Sequence, residues 1–424
     1  MRATRFLIVA AVLGLAGVTA CATTSPAPTE QNATSPANLS CAWPSLFSLQ
    51  TTNIIMLDST EAAWLQPIVA PTRTTLHLSG RYPDARYFSL SVYTPSGDSF
   101  TSNGVDSSLP DYRIAANTGS VNPWQTTSTA GGSYKIDLSA AAASDQPNVL
   151  PLPPGTTSAH PGYLVYRVYD PAGGSFSGVP LPSISISHGS ATTPLRPCTT
   201  RTPAWRPERS PTSSPTSTPS RKATPPPPAT FFEPAGGQAD GGLVANADAS
   251  YAEAYLIRPP ANEVVVITGK APTTAPAAHP SPWPNPNVDM RYWSLCVGVG
   301  VTNLPTVVNH LPGGTADYGC RDDESTAVDA AGNYTYVLGS ESQRAQISTV
   351  PGATFLPFET TSSAKLYLLL LRNILVSKGF DHAPHTVTTT DSAAAATAAM
   401  GPYYPTIKTC PLAALLKDGA PGCE

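Results

Sequence analysis

The chain has 424 residues, of which only 12% are charged and 47 are proline. This length allows two or three domains, and the formal net charge of −4, without any long basic patch, leads us to expect no nucleic-acid partner. A low charge with abundant proline and glycine is typical of short strands joined by many turns.

Residues 1–20 have the organisation of an export signal. Arg2 and Arg5 precede an uncharged apolar run at residues 6–18, which is shorter than the ~20 residues that span a bilayer and has the length of a signal-peptide core. The sequence Val-Thr-Ala-Cys that ends at Cys21 fits a lipobox. We therefore expect a lipoprotein signal peptide and a diacylglyceryl group on Cys21. The alternative is an ordinary secretory signal that leaves Cys21 as a spare thiol.

Two segments are too poor in large apolar side chains to bury a core. Residues 21–40 predict a disordered tether, and residues 199–230, where proline recurs every four residues, predict a disordered Pro-rich linker. Residues 41–198 and 231–424 remain as two globular segments, and the second has a C-terminal extension.

Six cysteines remain besides Cys21. An even number of cysteines in an exported chain predicts disulfides, although six cysteines allow 15 pairings. We favour the three pairs that each bracket one coherent segment: Cys41–Cys198, Cys296–Cys320 and Cys410–Cys423. Since Cys-x-x-Cys and zinc-type spacings are absent from the sequence, we expect no metal site, and we expect no cofactor.

Four short blocks occur in the same order in both globular segments: residues 79–83 with 268–272, 84–92 with 289–297, 132–134 with 332–334, and 150–152 with 356–358. Four matches in order predict an internal duplication. The second block alternates apolar and other residues, as a half-buried strand does. An apolar strand with one arginine, Arg167 or Arg372, follows the fourth block. We predict a mostly β chain with two tandem β-sandwich, jelly-roll-like domains, and one helix in the alanine-rich run up to Met400, capped by Asp391.

The order of these motifs carries a family resemblance. Asp-x-Arg-Tyr-[Phe/Trp]-Ser-Leu, then Gly-x-Tyr, then Leu-Pro and an arginine-bearing strand resemble the bacterial β-sandwich family catalogued as domain of unknown function 1214. The resemblance is clearest in residues 75–170 and 264–375. That family often has Asn-Trp-Leu-Pro where Val149 and Phe355 replace the tryptophan here. The resemblance implies a β-sandwich fold and no particular chemistry.

Several charged residues are placed on or beside predicted apolar strands. The candidates for a structural ion pair or a binding site are Asp84, Arg86, Asp289, Arg291, Arg167 and Arg372. A buried guanidinium needs a carboxylate or carbonyl partner, and in each repeat an aspartate precedes the first arginine by two residues on the same predicted face. We predict an ion pair that closes one end of each sandwich. The alternative is a pocket floor that binds an anionic or sugar ligand.

One acidic segment, residues 321–324 with Asp329, could in principle bind Ca²⁺. Its oxygens lack the alternating spacing of an EF-hand loop, so a charged turn before a strand is the favoured interpretation.

The sequence leaves three functions open. The sequence lacks Gly-x-Ser-x-Gly and His-Glu-x-x-His motifs, and the predicted anchor and tandem sandwiches favour a non-enzymatic module on the extracytoplasmic face of the cell membrane. Its partner would be a glycan, a wall polymer or an envelope protein. The second hypothesis is a structural or assembly lipoprotein of the envelope. The third is a hydrolase that uses scattered carboxylates.

Overall fold

The computed structural model describes residues 41–69, 74–127, 131–199, 201, 230–234, 244–276, 279–301, 303–361 and 363–423. The predicted signal peptide, Cys21, the tether and residues 202–229 of the predicted linker lie outside the described residues. All the described residues belong to one compact unit. We call residues 41–199 the N-terminal half and residues 230–423 the C-terminal half. None of the described helices is long and apolar enough to cross a membrane.

The described chain is mostly β, as predicted. The strands of the N-terminal half are β1 (Cys41–Ala42), β2 (Ser45–Phe47), β3 (Glu61–Ile68), β4 (Thr74–Arg81), β5 (Ala85–Tyr93), β6 (Thr101–Ser102), β7 (Val105–Asp106), β8 (Ser108–Pro110), β9 (Ser133–Ser139), β10 (Val149–Pro151), β11 (Gly162–Pro171), β12 (Ser183–His188), β13 (Ala191–Pro194) and β14 (Arg196–Pro197).

The strands of the C-terminal half are β15 (Ala249–Ile257), β16 (Glu263–Lys270), β17 (Met290–Val299), β18 (Val308–His310), β19 (Ala316–Tyr318), β20 (Cys320–Asp322), β21 (Asn333–Gly339), β22 (Ala353–Pro357), β23 (Leu366–Val376) and β24 (Thr406–Pro411). Its α-helices are α1 (Arg344–Ile347), α2 (Ala393–Met400) and α3 (Leu412–Asp418). The N-cap of α2 is Ser392, whose side chain accepts from the Ala395 N–H. The predicted cap, Asp391, lies one residue earlier.

Four sheets contain most of the strands. In the N-terminal half, outer sheet 1 has the order β10-β9-β4-β12-β13, and inner sheet 1 has the order β2-β3-β11-β5-β8. In the C-terminal half, inner sheet 2 has the order β15-β23-β17-β20, and outer sheet 2 has the order β22-β21-β16-β24. The strands β3, β11, β5 and β8 therefore correspond one to one with β15, β23, β17 and β20. The strands β10, β9, β4 and β12 correspond in the same way with β22, β21, β16 and β24.

The central strands of both inner sheets are buried on both faces. Every residue of β5 and of β17 is buried. One apolar cluster joins side chains of outer sheet 1 and inner sheet 1, and a second joins those of inner sheet 2 and outer sheet 2. Three smaller clusters combine side chains of the two halves. The layers therefore follow the order outer sheet 1, inner sheet 1, inner sheet 2, outer sheet 2.

Two glycines explain why the first and third sequence blocks occur together. A Cβ atom on Gly80 would lie 2.4 Å from Cζ of Tyr134, and one on Gly269 would lie 2.5 Å from Oη of Tyr334. Gly80 pairs with Tyr134 across β4 and β9, and Gly269 pairs with Tyr334 across β16 and β21. Each buried tyrosine ring thus lies over a residue that must lack a side chain.

The three predicted disulfides are confirmed: Cys41–Cys198, Cys296–Cys320 and Cys410–Cys423. The first joins the two ends of the N-terminal half. The second lies directly across the β17–β20 ladder. The third attaches the C-terminal turn to β24 and is part of the apolar cluster on the outer face of outer sheet 2.

Candidate functional site

Two arginines at equivalent strand starts each reach a carboxylate of the other half. Arg86 on β5 donates from Nη1 and Nη2 to the two carboxylate oxygens of Asp323, at 2.8 and 2.6 Å. Arg291 on β17 donates from Nη1 to both oxygens of Asp111, at 2.6 Å. Arg86 Nε also donates to the Arg291 carbonyl at 3.0 Å. The two side chains therefore cross between the halves in opposite directions.

The arginines of the later strands repeat this exchange. Arg167 Nη2 on β11 donates to the Val244 carbonyl of the C-terminal half at 2.6 Å, and Arg372 Nη2 on β23 donates to the Met56 carbonyl of the N-terminal half at 2.8 Å. Their carboxylate partners differ. Arg167 Nε donates to Glu61 in its own half at 2.8 Å, whereas Arg372 Nη1 donates to Asp58 in the other half, at 2.7 Å.

Two tyrosines at equivalent positions also bond across the interface. Tyr87 Oη on β5 donates to Asp248 Oδ2 at 2.7 Å, and Tyr292 Oη on β17 lies 2.9 Å from Thr60 Oγ1. In each half, the arginine near the start of β5 or β17 and the tyrosine that follows it therefore both make contacts with the other half. Such self-complementary contacts are what a two-fold interface between identical subunits requires.

The prediction that Arg86 and Arg291 pair with the aspartates two residues before them was wrong. The Asp84 side chain is 46% exposed and lies 2.9 Å from His279 Nδ1, and Asp289 accepts from the Thr273 N–H at 2.8 Å. Strands β5 and β17 begin one residue after these aspartates. The alternation of side chains between the two faces of a strand therefore does not include the aspartates, and it does not place them on the same face as the arginines. The ion pairs connect the two halves and do not close the end of one half.

Asp248 is a carboxyl of this interface for which no ion pair is found among the described residues. It accepts from Tyr87, and its own N–H donates to Asn246 Oδ1. Burial raises the pKa of Asp248 to about 6, and the negative charge of Asp111 adds to this, whereas the Tyr87 hydrogen bond, Arg113 and Arg167 oppose it. The interface therefore contains a carboxyl that takes up a proton in mildly acidic solution.

The arginine pairs are closed to solvent. The side chains of Arg291 and Asp111 are 0% exposed, and those of Arg86 and Asp323 are 1% and 6% exposed. The Arg291 guanidinium also lies 5.2 Å from the centre of the Trp283 ring. A substrate cannot reach groups buried in this way without separation of the halves. Removal of one partner of such a pair would leave an uncompensated buried charge, so the arrangement fixes how the halves dock.

A carboxylate and two cysteines lie together beside Arg372. Ligand atoms of Asp58, Cys296 and Cys320 are within 4.8 Å of one another. The two sulfur atoms are joined in a disulfide, and Arg372 Nη1 and Ser294 Oγ both donate to Asp58 Oδ2. The carboxylate therefore already has cationic and hydroxyl partners, and the sulfurs are not thiolates, so this group does not have the chemistry of a cation site.

The sequence pointed to the arginines and missed their acceptors. Asp323 lies in the acidic segment interpreted as a charged turn before a strand, and Asp111 begins the 3₁₀ turn Asp111–Arg113. Each follows the short strand that pairs with the arginine strand of its own half: Asp111 follows β8, which pairs with β5, and Asp323 follows β20, which pairs with β17. Each acceptor then bonds to the arginine of the other half. That shared position was the available signal. Asp58 and Glu61 are outside all four repeated blocks, and no pattern in the sequence indicated them as acceptors.

An exposed polar surface lies on the opposite side of the N-terminal half. On the outer face of outer sheet 1, His77 Nδ1 lies 2.7 Å from Asp137 Oδ1, and His77 Nε2 lies 2.8 Å from Ser187 Oγ. Ser187 continues the row to Thr192, with 2.6 Å between the hydroxyl oxygens. These residues come from β4, β9, β12 and β13, so four neighbouring strands contribute to one hydrogen-bonded row. We call this surface the polar row.

Comparisons with known proteins identify no family. No protein-family profile and no curated protein matches the chain. Among solved structures, the chain is similar to an uncharacterised protein from Burkholderia cenocepacia, with 14% identity over 89% of this chain and 84% of that one and a TM-score of 0.48. A protein from Vibrio parahaemolyticus has 11% identity over 84% of this chain and 91% of that one, with a TM-score of 0.40.

Proposed function

We propose that the chain is a lipoprotein anchored through Cys21 to the extracytoplasmic face of the cell membrane, where it binds a cell-wall glycan. In this proposal its globular part is two tandem β-sandwich domains that arose by duplication and resemble the family of domain of unknown function 1214. The polar row on outer sheet 1 is the binding surface, and the buried arginines hold the two domains in one fixed arrangement.

The matching strand orders of the two halves support the duplication. The same four-strand orders recur in the outer and inner sheets, and the arginines at equivalent strand positions make reciprocal contacts. A linked pair of equal units that dock by matching contacts is the expected product when a gene for a two-fold dimer duplicates and fuses.

The observation that carries the binding proposal is the exposure of the polar row. The corresponding face of outer sheet 2 is apolar and covered by α1, α3 and the Cys410–Cys423 disulfide, whereas His77, Asp137 and Ser187 remain open to solvent at least in part. A flat surface of imidazole, carboxylate and hydroxyl groups offers donors and acceptors that match sugar hydroxyls. A wall glycan is also the polymer that a protein tethered to the outer face of a membrane would meet.

The anchor is tested by a change at the proposed lipidation site. Each buried methylene of an acyl chain contributes about 0.8 kcal/mol to membrane binding, so Cys21→Ser should shift the protein from the membrane fraction to the medium or leave its signal uncleaved. Fractionation and intact-mass measurement of the wild type and the variant check this. Full membrane retention of a mature Cys21→Ser protein would contradict the anchor.

The binding surface is tested with a matched pair of double variants. His77→Ala with Asp137→Ala should reduce binding to purified cell-wall glycan at least tenfold, because the polar row loses its central donor and acceptor. His385→Ala with Asp381→Ala removes an exposed histidine and aspartate from the C-terminal half and should leave binding unchanged. Equal binding by both double variants would contradict the proposal. Crosslinking in the envelope to one protein, with no glycan bound, would favour the structural alternative.

A further inference from the structure

A second feature of the N-terminal half is an apolar cleft between the ends of outer sheet 1 and inner sheet 1. Its volume is about 260 Å³. The end of β3, the start of β4, the end of β12 and the segment after β13 form its wall. Its apolar lining residues are Pro67, Ile68, Val69, Leu76, Ile186 and Leu195.

The lining suits a hydrocarbon chain. Six of the lining residues are aliphatic or proline, and no lysine, arginine or carboxylate is among them. The Gln66 side chain is engaged by the Trp43 N–H and the Pro67 carbonyl. Thr74 is 6% exposed, so it adds little polar surface to the cleft.

The volume fits a short stretch of acyl chain. A methylene group occupies about the space of a water molecule, ~30 Å³, so the cleft accommodates about eight methylenes. Each methylene transferred from water to an apolar site strengthens binding about fourfold. A sugar or a phosphate would gain nothing comparable from these walls.

The described chain begins at the edge of this cleft. Cys41 on β1 pairs with Arg196, the neighbour of the lining residue Leu195, and the Trp43 N–H donates to the lining residue Gln66 at 2.8 Å. Cys41 is also joined to Cys198 by a disulfide. Cys41, the first described residue, therefore lies beside the mouth of the cleft.

Cys21 and Cys41 are 20 positions apart in the sequence. A chain of this length reaches at most about 70 Å, and a disordered tether of the kind that the sequence predicts would have an end-to-end distance of about 25 Å. A group attached to Cys21 is therefore present at the cleft at an effective concentration on the order of millimolar. No lipid that is free in solution at micromolar concentration competes well with such a group.

We propose that this cleft binds one acyl chain of the lipid carried by Cys21. The proposal rests on the lipidation of Cys21 set out above. When one acyl chain occupies the cleft, it is shielded from water by Ile68, Leu76 and Ile186. The cleft then holds the N-terminal half close to its own anchor.

The test compares the native lipidated protein with the Cys21→Ser protein, both in amphipol, by titration with a dansyl-labelled undecanoic acid. Intact mass first establishes whether Cys21 is acylated. The Cys21→Ser protein should bind the probe saturably, and Ile186→Trp or Leu195→Trp in that background should abolish this signal by filling the cleft. Ile257→Trp adds the same ring at a 44% exposed aliphatic position of the other half and should change nothing. The acylated protein should bind the probe at least about tenfold more weakly, because its own chain competes.

Three results would overturn the proposal, and the mass measurement separates their meanings. Equal probe affinity of the acylated and Cys21→Ser proteins would show that the anchor does not enter the cleft, while lipidation itself would stand. Probe binding that survives both tryptophan variants would place the fatty-acid site elsewhere. An unmodified Cys21 in the native protein would overturn both this proposal and the proposed anchor.

Discussion

Outer sheet 1 and outer sheet 2 share a strand order and have opposite outer surfaces. On β4 the residues that face outward include Thr75, His77 and Ser79, which alternate with buried leucines. On β16, Val264 and Val266 occupy the outward positions and are buried under α1, α3 and a disulfide. Alternation therefore marks the sheet that faces solvent, and a continuous run of valine and isoleucine marks the sheet that is covered.

The inner sheets show no such divergence. Their central strands are buried on both faces in both halves, and their arginines make reciprocal contacts. A contact shared by two surfaces constrains both of them at once, whereas an outer face is constrained only by what covers it. The following changes test this contrast, beginning with the largest expected effect.

Loss of a carboxylate from the shared interface should be the most damaging change. Asp111→Ala and Asp323→Ala should each reduce the free energy of unfolding by about 3 to 5 kcal/mol, since each leaves a buried guanidinium without its partner. Asp111 should have the larger effect because two backbone N–H groups, of Phe88 and Tyr112, also donate to it, whereas Asp323 has one further donor, the Thr274 hydroxyl. Urea denaturation measures both. Asp84→Ala, at a 46% exposed side chain, should cost under about 0.5 kcal/mol; a cost near that of Asp111→Ala would contradict the pairing of Arg291 with Asp111 and of Arg86 with Asp323.

Exchange of equivalent residues between the two outer sheets should destabilise the protein in one direction only. The aligned repeat places His77 and Val266 at equivalent positions of β4 and β16. Val266→His buries an imidazole among apolar side chains and should cost about 2 to 4 kcal/mol. His77→Val should change stability by no more than about 1 kcal/mol. Thermal denaturation of the two variants checks this, and similar losses in both would show that the outer faces are not different environments.

The smallest expected effect distinguishes Asp248 from its counterpart Thr60. The folded-state pKa of Asp248 is raised from 3.8 to about 6, so its ionisation opposes folding. Its contribution is fully favourable below about pH 4 and is lost as the pH rises through about 6. Because the carboxyl is partly exposed, the loss should be roughly 1 to 2 kcal/mol. Asp248→Asn should remove this part of the pH dependence of unfolding.

The control for this measurement is Thr60→Ala. Thr60 does not titrate, so its loss should shift the stability of the protein by the same amount at every pH. A stability profile of Asp248→Asn that runs parallel to that of the wild type between about pH 4 and 7 would show that the carboxyl does not titrate in the interface.

Local patterns in the sequence predicted the mostly β character of the chain and several of its central strands. The alternation in residues 84–92 predicted β5, and the order of the cysteines predicted all three disulfides. The same alternation misjudged one face of β5. Ser89 and Ser91 suggested a solvent-facing side, yet they are 0% and 1% exposed. Small hydroxyl side chains let a second sheet approach closely, and a period-two pattern does not distinguish that from exposure to water.

The arginine partners could not be predicted for a different reason. Arg86 and Asp323 are 237 positions apart, and Arg372 and Asp58 are 314 apart. A rule based on residues two apart considers only neighbours in the chain. A docked pair of halves brings together groups that no local pattern connects, so only the correspondence between the repeats could have suggested that the carboxylate acceptors of Arg86, Arg291 and Arg372 belong to the opposite half.

The crossing of Arg86 and Arg291 has a consequence for how such a protein can change over time. Substitutions at either arginine or at its acceptor disturb both halves together, so the interface between the two halves should accumulate substitutions slowly. The outer faces of outer sheet 1 and outer sheet 2 can diverge independently, because neither is part of the interface between the halves. In a fused pair of this kind, the outer face of one half can acquire a new binding specificity while the other half keeps a structural role.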